Sequence, residues 1–292
     1  MPLKAILNSL IAGMLSSIFT LGFKFFGSIL ILFSYFSPLP IFLITFYYGL
    51  IGTVLSAIIS IGIITLLSSP TVGAIFFVTN ILPALIILIN KNNLTYKNFI
   101  SKLTLLNGIG YISIIFLYSD KIKVIADNLN TYIREGINKN FEIEKAILDI
   151  APSIIISSWT LILMLNFILA KNILNKYFNT FKDKKIKDKI INLDLEHWII
   201  ILFLLFLIPA ALLSEDNGKW FRSLTLIFAI PITIQGLVSI HFLFKKNKVG
   251  NFLIYIFYTI IFLIPISIPI ITAFGVLEQI YNFRGLKKNK LF

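Results

Sequence analysis

Asn80, Asn107, Asn166 and Gln235 lie inside long apolar runs, where a side chain with donors and acceptors is costly unless it binds something. Asn80 sits in GAIFFVTNILPALIILIN, three residues before Pro83. A proline lacks an N–H and frees a carbonyl one turn earlier, near Thr79. Asn80 is therefore placed either to satisfy the opened backbone or to contact a ligand. Gln235 precedes Gly236 and follows Pro231 in the middle of another run. There the proline opens the helix, the glycine admits a neighbouring backbone, and the glutamine supplies a donor and an acceptor. Asn166 stands in a third run, where bonding to an adjacent helix is the commoner outcome. Together Asn80, Gln235 and Asn166 are the candidate substrate-binding residues. Glu278 lies between the last apolar run and a basic tail, and pairing with Arg284 or solvation at the interface is its default.

The side chains that would make an enzyme are missing. The sequence has no paired carboxylates within an apolar run, no nucleophile elbow and no phosphate-cradling glycine loop. It has no cysteine, and its two histidines, His197 and His241, lack ligand spacing, so no metal or cofactor is expected. No catalytic residue is assigned, and the chain is expected not to be an enzyme.

The elements that must hold these amides follow from composition. Hydrophobic residues fill 58% of 292 positions and only 13% are charged, with a mean hydropathy of +0.92. Soluble domains carry about 25% charged residues, and too few polar side chains exist here to cover a water-exposed globule. The chain is expected to be an all-α, polytopic integral membrane helix bundle, one transmembrane domain over 1–292. A span needs about 20 apolar residues. Runs near 5–22, 71–90, 103–119, 147–170, 197–213, 220–244 and 252–277 meet or approach that length. The stretch 25–67 is read as a short or re-entrant segment to Tyr35, then one long helix from Pro38 to Leu67. Eight helices, within a range of seven to nine, are expected. The start, MPLKAILNSLIAGMLSS, reads as a retained first helix rather than a cleaved signal.

The formal charge of +13 sits in short segments between the runs, the pattern of a membrane protein's basic side and not of a nucleic-acid binder. Lys91, Lys97 and Lys102, the Lys-rich loop 171–196, and Lys245, Lys246 and Lys248 fall on one side. The loop 120–146, with balanced charge, falls on the other. Ile122, Ile125, Leu129 and Tyr132 or Ile133 give that loop an amphipathic helix pattern. If 252–277 crosses once, the tail bearing Arg284, Lys287, Lys288 and Lys290 lies on the wrong side. The alternative is that Pro265 and Pro269 break the segment. Finally, Ser9, Gly13 and Ser17 put small residues at four-residue spacing on the first helix, a surface that lets another helix approach closely.

Three places combine into a family resemblance. FSYFSPLPIFLITFYYGLIGTVLSAI (33–58) joins aromatics, a Pro-x-Pro pair and a Gly-x-x-Gly helix. Pro83 and the Asn166 helix follow. IQGLVSIH (234–241) then precedes a proline-bearing last helix ending in GVLEQIYNFRG (275–285). In this order they resemble the YybS-like family of predicted bacterial membrane proteins, domain of unknown function 2232. The family's last helix commonly carries an Asp where Glu278 stands here. The family is distantly similar to the substrate-binding membrane components of energy-coupling-factor transporters and to MreD-type cell-shape proteins. The resemblance thus implies a bacterial cytoplasmic (inner) membrane protein, set in the lipid bilayer, that binds an unidentified small molecule in a pocket at the outer ends of its helices, closed by loops. It also implies docking through Ser9, Gly13 and Ser17 on a transmembrane coupling protein with ATPase subunits. The other implied role is scaffolding in cell-shape or envelope assembly.

Overall fold

A computed structural model describes residues 3–27, 31–89, 94–136, 145–177, 189–247, 250–264 and 266–286, and among these every regular element is helical. Seven helices are long and apolar enough to cross a membrane: Leu3–Phe25, Ile31–Tyr48, Leu50–Leu67, Pro70–Ile89, Tyr96–Phe116, Asp149–Tyr177 and Asn217–Lys246. Shorter apolar helices run over His197–Leu212, Asn251–Ile261 and Ser267–Tyr281. Large aliphatic side chains such as Leu7, Ile11, Met14 and Ile18 form an exposed stripe on the first helix. Such a stripe at helical spacing is stable against hydrocarbon and not against water. The chain is an all-α, multi-pass membrane protein. By its contacts it divides into two compact units, Met1–Phe99 with Leu161–Asp188, and Ile100–Thr160 with Lys189–Phe292.

In the first unit, α1 (Leu3–Phe26) is followed by α2 (Ile31–Ser34), α3 (Pro38–Tyr48) and α4 (Leu50–Leu67). The long helix expected over 38–67 does not form. It divides at Gly49, whose φ of 67° lies in the left-handed region, which glycine adopts without the Cβ penalty of other residues. Thr53 then donates to Thr45 Oγ1 at 2.9 Å across the turn. α3 runs antiparallel to α1, with Ser16 beside Ser37 and Asn8 beside Tyr48. α4 runs parallel to α1: Gly13 meets Ser56, Ser17 meets Ser60, and Lys24 meets Leu67. A Cβ on Gly13 would stand 2.8 Å from the Ser56 carbonyl oxygen. Ser9, Gly13 and Ser17 are therefore buried, and the helix they admit is α4 of the same chain. This corrects their expected role as a docking face, because the close approach they permit is already taken.

The next pass is α5 (Pro70–Phe76), a wider π turn over Phe77–Ile81, and α6 (Leu82–Ile89). The π turn lies directly ahead of Pro83, and a widened turn is one way a helix accommodates the missing i−4 bond. α7 (Tyr96–Gly136) and α8 (Lys145–Tyr177) follow. α7 carries the helix through 120–136 without a break. The rest of the amphipathic loop, 137–144, lies outside the described residues, as do 178–188 of the Lys-rich loop and the tail lysines from 287.

In the second unit a short 3₁₀ turn (Ile190–Asn192) leads through an extended strap, 193–196, into α9 (His197–Leu212). α9 packs antiparallel on α10 (Glu215–Lys246): Arg222 Nη2 donates to the Leu213 carbonyl at 3.2 Å and Phe206 meets Phe228 at 5.5 Å. The run expected to cross over 252–277 is two helices, α11 (Asn251–Leu263) and α12 (Ser267–Tyr281). α11 lies antiparallel to α10, with Phe257 on Phe244 and the Tyr258 hydroxyl 3.1 Å from His241 Nδ1. α12 crosses α10 where Gly236 faces Gly275 and then runs back toward the end of α10 from which α11 departs. Among the described residues 252–277 is thus not a single helix.

Candidate functional site

In the first unit the break between α2 and α3 leaves turn backbone, Tyr35 to Ser37, within an apolar span, with Ser37 buried and Tyr35 on the surface. Backbone carbonyls freed within a membrane span are satisfied by side chains. Asn166 Nδ2 donates to the Tyr35 carbonyl at 2.8 Å, and the Ser16 hydroxyl donates to the Ser37 carbonyl at 2.5 Å. The Ser37 hydroxyl in turn donates to Asn80 Oδ1 at 3.1 Å, while Asn80 Nδ2 donates to Thr79 Oγ1 at 2.9 Å. Two amides separated by 86 positions in sequence (166 minus 80) thus meet at one break. Asn166 is fully buried, and its Oδ1 accepts no hydrogen bond among the described residues. It is the one open acceptor at the break. Asn166→Ala would strand the Tyr35 carbonyl, at a cost of about 1–2 kcal/mol. Thermal unfolding in detergent should show that loss, whereas Leu161→Ala, on the exposed face of the same helix, should leave the transition nearly unmoved.

In the second unit the strap plays the corresponding part. Leu195 N donates to Gln235 Oε1 at 2.9 Å, Gln235 Nε2 to Gln279 Oε1 at 2.8 Å, and Gln279 Nε2 to the Leu195 carbonyl at 2.9 Å. Two glutamines and the backbone of Leu195 close a ring of three hydrogen bonds joining α10, α12 and the strap. Beyond it, Arg284 donates through Nε to Glu278 Oε1 at 2.7 Å, through Nη1 to the Ile191 carbonyl at 2.8 Å, and through Nη2 to the Leu193 carbonyl at 2.6 Å. The local sequence allows this return. Asn282 ends α12 in the left-handed conformation, with φ 51°, a region asparagine tolerates better than most residues. Its Oδ1 accepts from Leu286 N at 2.9 Å. The side chains of Arg284 and Glu278 are 1% and 2% exposed. The expected pair forms, but in the interior and not at a wet interface. Glu278 Oε2 has no hydrogen-bond partner among the described residues.

Of the candidates Asn80, Asn166 and Gln235, the structure brings the first two together, while Gln235 belongs to the other cluster. Gln279 was missed. Its signal is the four-residue spacing from Gly275, which puts it on the face of α12 that crosses α10. Chemically, both clusters present amides and one ion pair around irregular backbone, an arrangement suited to holding shape or binding a polar group.

The model of a family described as predicted membrane protein, domain of unknown function 2232, matches residues 137–278. That segment contains Asn166, Gln235 and Glu278, and it bears out the family resemblance. No curated protein matches, and no solved structure matches.

Proposed function

We propose, for a chain that carries a region of this membrane-protein family, a non-enzymatic role as the substrate-binding component of a small-molecule uptake system in the bacterial inner membrane. Partners, a coupling protein with ATPase subunits, would supply the energy. The observation that supports this reading is irregular backbone within both helical units, at Tyr35–Ser37 and at the strap 193–196, each ringed by side-chain amides. Transporters place substrates at such interruptions of their helices. Each unit has an open acceptor beside its irregular backbone, Asn166 Oδ1 in the first and Glu278 Oε2 in the second. A coupling protein would have to dock elsewhere than on Ser9, Gly13 and Ser17, which α4 covers.

Purification from native membranes should bring down ATPase and coupling subunits, and mass spectrometry should find a retained small molecule. Asn80→Ala and Gln235→Ala should both lower that retention. Intact retention in the two variants, or no partner and no molecule with the unaltered protein, would remove this reading. A scaffold in cell-shape or envelope assembly is favoured by a different fact: Asn80 and Gln235 spend their hydrogen bonds inside the fold. It predicts altered cell morphology on depletion and no retained water-soluble small molecule.

A further inference from the structure

A cavity of about 390 Å³ opens in the first unit between α1 and α3, within the range of about 300–1,000 Å³ of small-molecule sites. Its two ends differ in chemistry. At one end stand Lys4, Asn8, Tyr47 and Tyr48, with Asn8 Nδ2 donating to the Tyr48 hydroxyl at 2.7 Å. At the other, Leu15, Pro40 and Leu43 form apolar walls. From Lys4 to Leu15 the helix rises about 16 Å, so the cavity is a slot along the helices, polar at its mouth and greasy along its depth. Leu174 of α8 also lines it, and Lys171 and Lys176 flank Leu174 in sequence. The mouth therefore lies at a lysine-bearing end of these helices. Lys4 is exposed and has no ion-pair partner among the described residues.

We infer that this slot holds one anionic phospholipid of the bilayer, its headgroup phosphate at Lys4 and Asn8 and one acyl chain along Leu15 and Leu43. The charge of Lys4 selects an anion, the tyrosine pair suits the headgroup level, and the apolar depth excludes a free phosphate. The basic end of a membrane protein faces the leaflet rich in anionic lipid. This site does not depend on the uptake reading, since a scaffold would hold the lipid equally well.

The test is native mass spectrometry of the full chain released from nanodiscs containing equal phosphatidylglycerol and phosphatidylcholine. The unaltered protein should retain phosphatidylglycerol in preference. Lys4→Gln, at an exposed position, should cut that preference about fivefold. Leu43→Trp should fill the slot and abolish retention of both lipids. Equal retention of the two lipids, or a preference that Lys4→Gln leaves in place, would overturn the assignment. So would a non-lipid mass that disappears in Leu43→Trp, which would make the occupant a soluble ligand.

Discussion

Arg284→Met is expected to cost about 3–5 kcal/mol of stability in detergent, the price of leaving a buried carboxylate without its partner. Three acceptors lose their donor at once: Glu278 Oε1 and the carbonyls of Ile191 and Leu193. Glu278 Oε1 cannot turn to water, because both side chains of the pair are almost wholly enclosed. The same reasoning fixes the sign of the double variant. Adding Glu278→Leu removes the stranded charge, so Arg284→Met with Glu278→Leu should recover a large part of the loss. The two strap carbonyls still lack a donor, so recovery should stop short of the starting value. Lys245→Met, an exposed lysine near the end of α10, should stay within about 0.5 kcal/mol. Chemical unfolding with dodecyl sulfate reads all four proteins on one scale. A double variant no more stable than Arg284→Met alone would show that the strap bonds, and not the charge, carry the effect.

Gly275→Ala should be nearly as damaging, for a steric reason. A Cβ there would lie 2.2 Å from the Ile232 carbonyl oxygen, and one on Gly236 would lie 2.2 Å from that of Ile271. Both obstacles are backbone, so no side chain can swing aside, and α10 and α12 must move apart. Separation would also break the bond between the Thr233 and Thr272 hydroxyls, 2.6 Å, and that between Gln235 and Gln279. The expected loss is about 3 kcal/mol or more, at the upper end of overpacking costs. Gly62→Ala and Gly110→Ala are the controls, because nothing lies within 4 Å of either added methyl. They should gain up to about 1 kcal/mol from helix propensity. Equal behaviour of all these variants in a thermal melt would contradict the close crossing.

Much of this architecture could be read from residue order, because spans announce themselves by length and hydropathy alone. The division of 38–67 could not. Gly49 and Gly52 stand three apart in an apolar stretch, and only a partner helix decides which one turns. Thr45 and Thr53 settle it by bonding across Gly49, a contact invisible until the two arms lie side by side. The break in 252–277 was half legible: the tail charges offered it as one of two readings, while its position depended on how α11 and α12 meet α10. Among the site residues, amides in apolar runs drew notice because burying them is expensive. Gln279 escaped because it lies beside Glu278 at the end of its run, where a polar residue looks like the onset of water. What no periodicity reveals is the strap, since 193–196 becomes ordered backbone only through Gln235 of α10, which accepts from Leu195 N, and through donors from Gln279 of α12 and from Arg284 beyond it.

The constant offset of 43 positions between α1 and its partners on α4 also bears on biogenesis. A ribosome adding about 5–20 residues per second needs about 2–9 seconds to deliver the matching turn of α4. During that interval the Gly13 face of α1 waits in the bilayer without its mate. A nascent chain stalled before residue 60 should therefore expose this face to crosslinking from lipid or the insertion machinery, and one released after residue 70 should not.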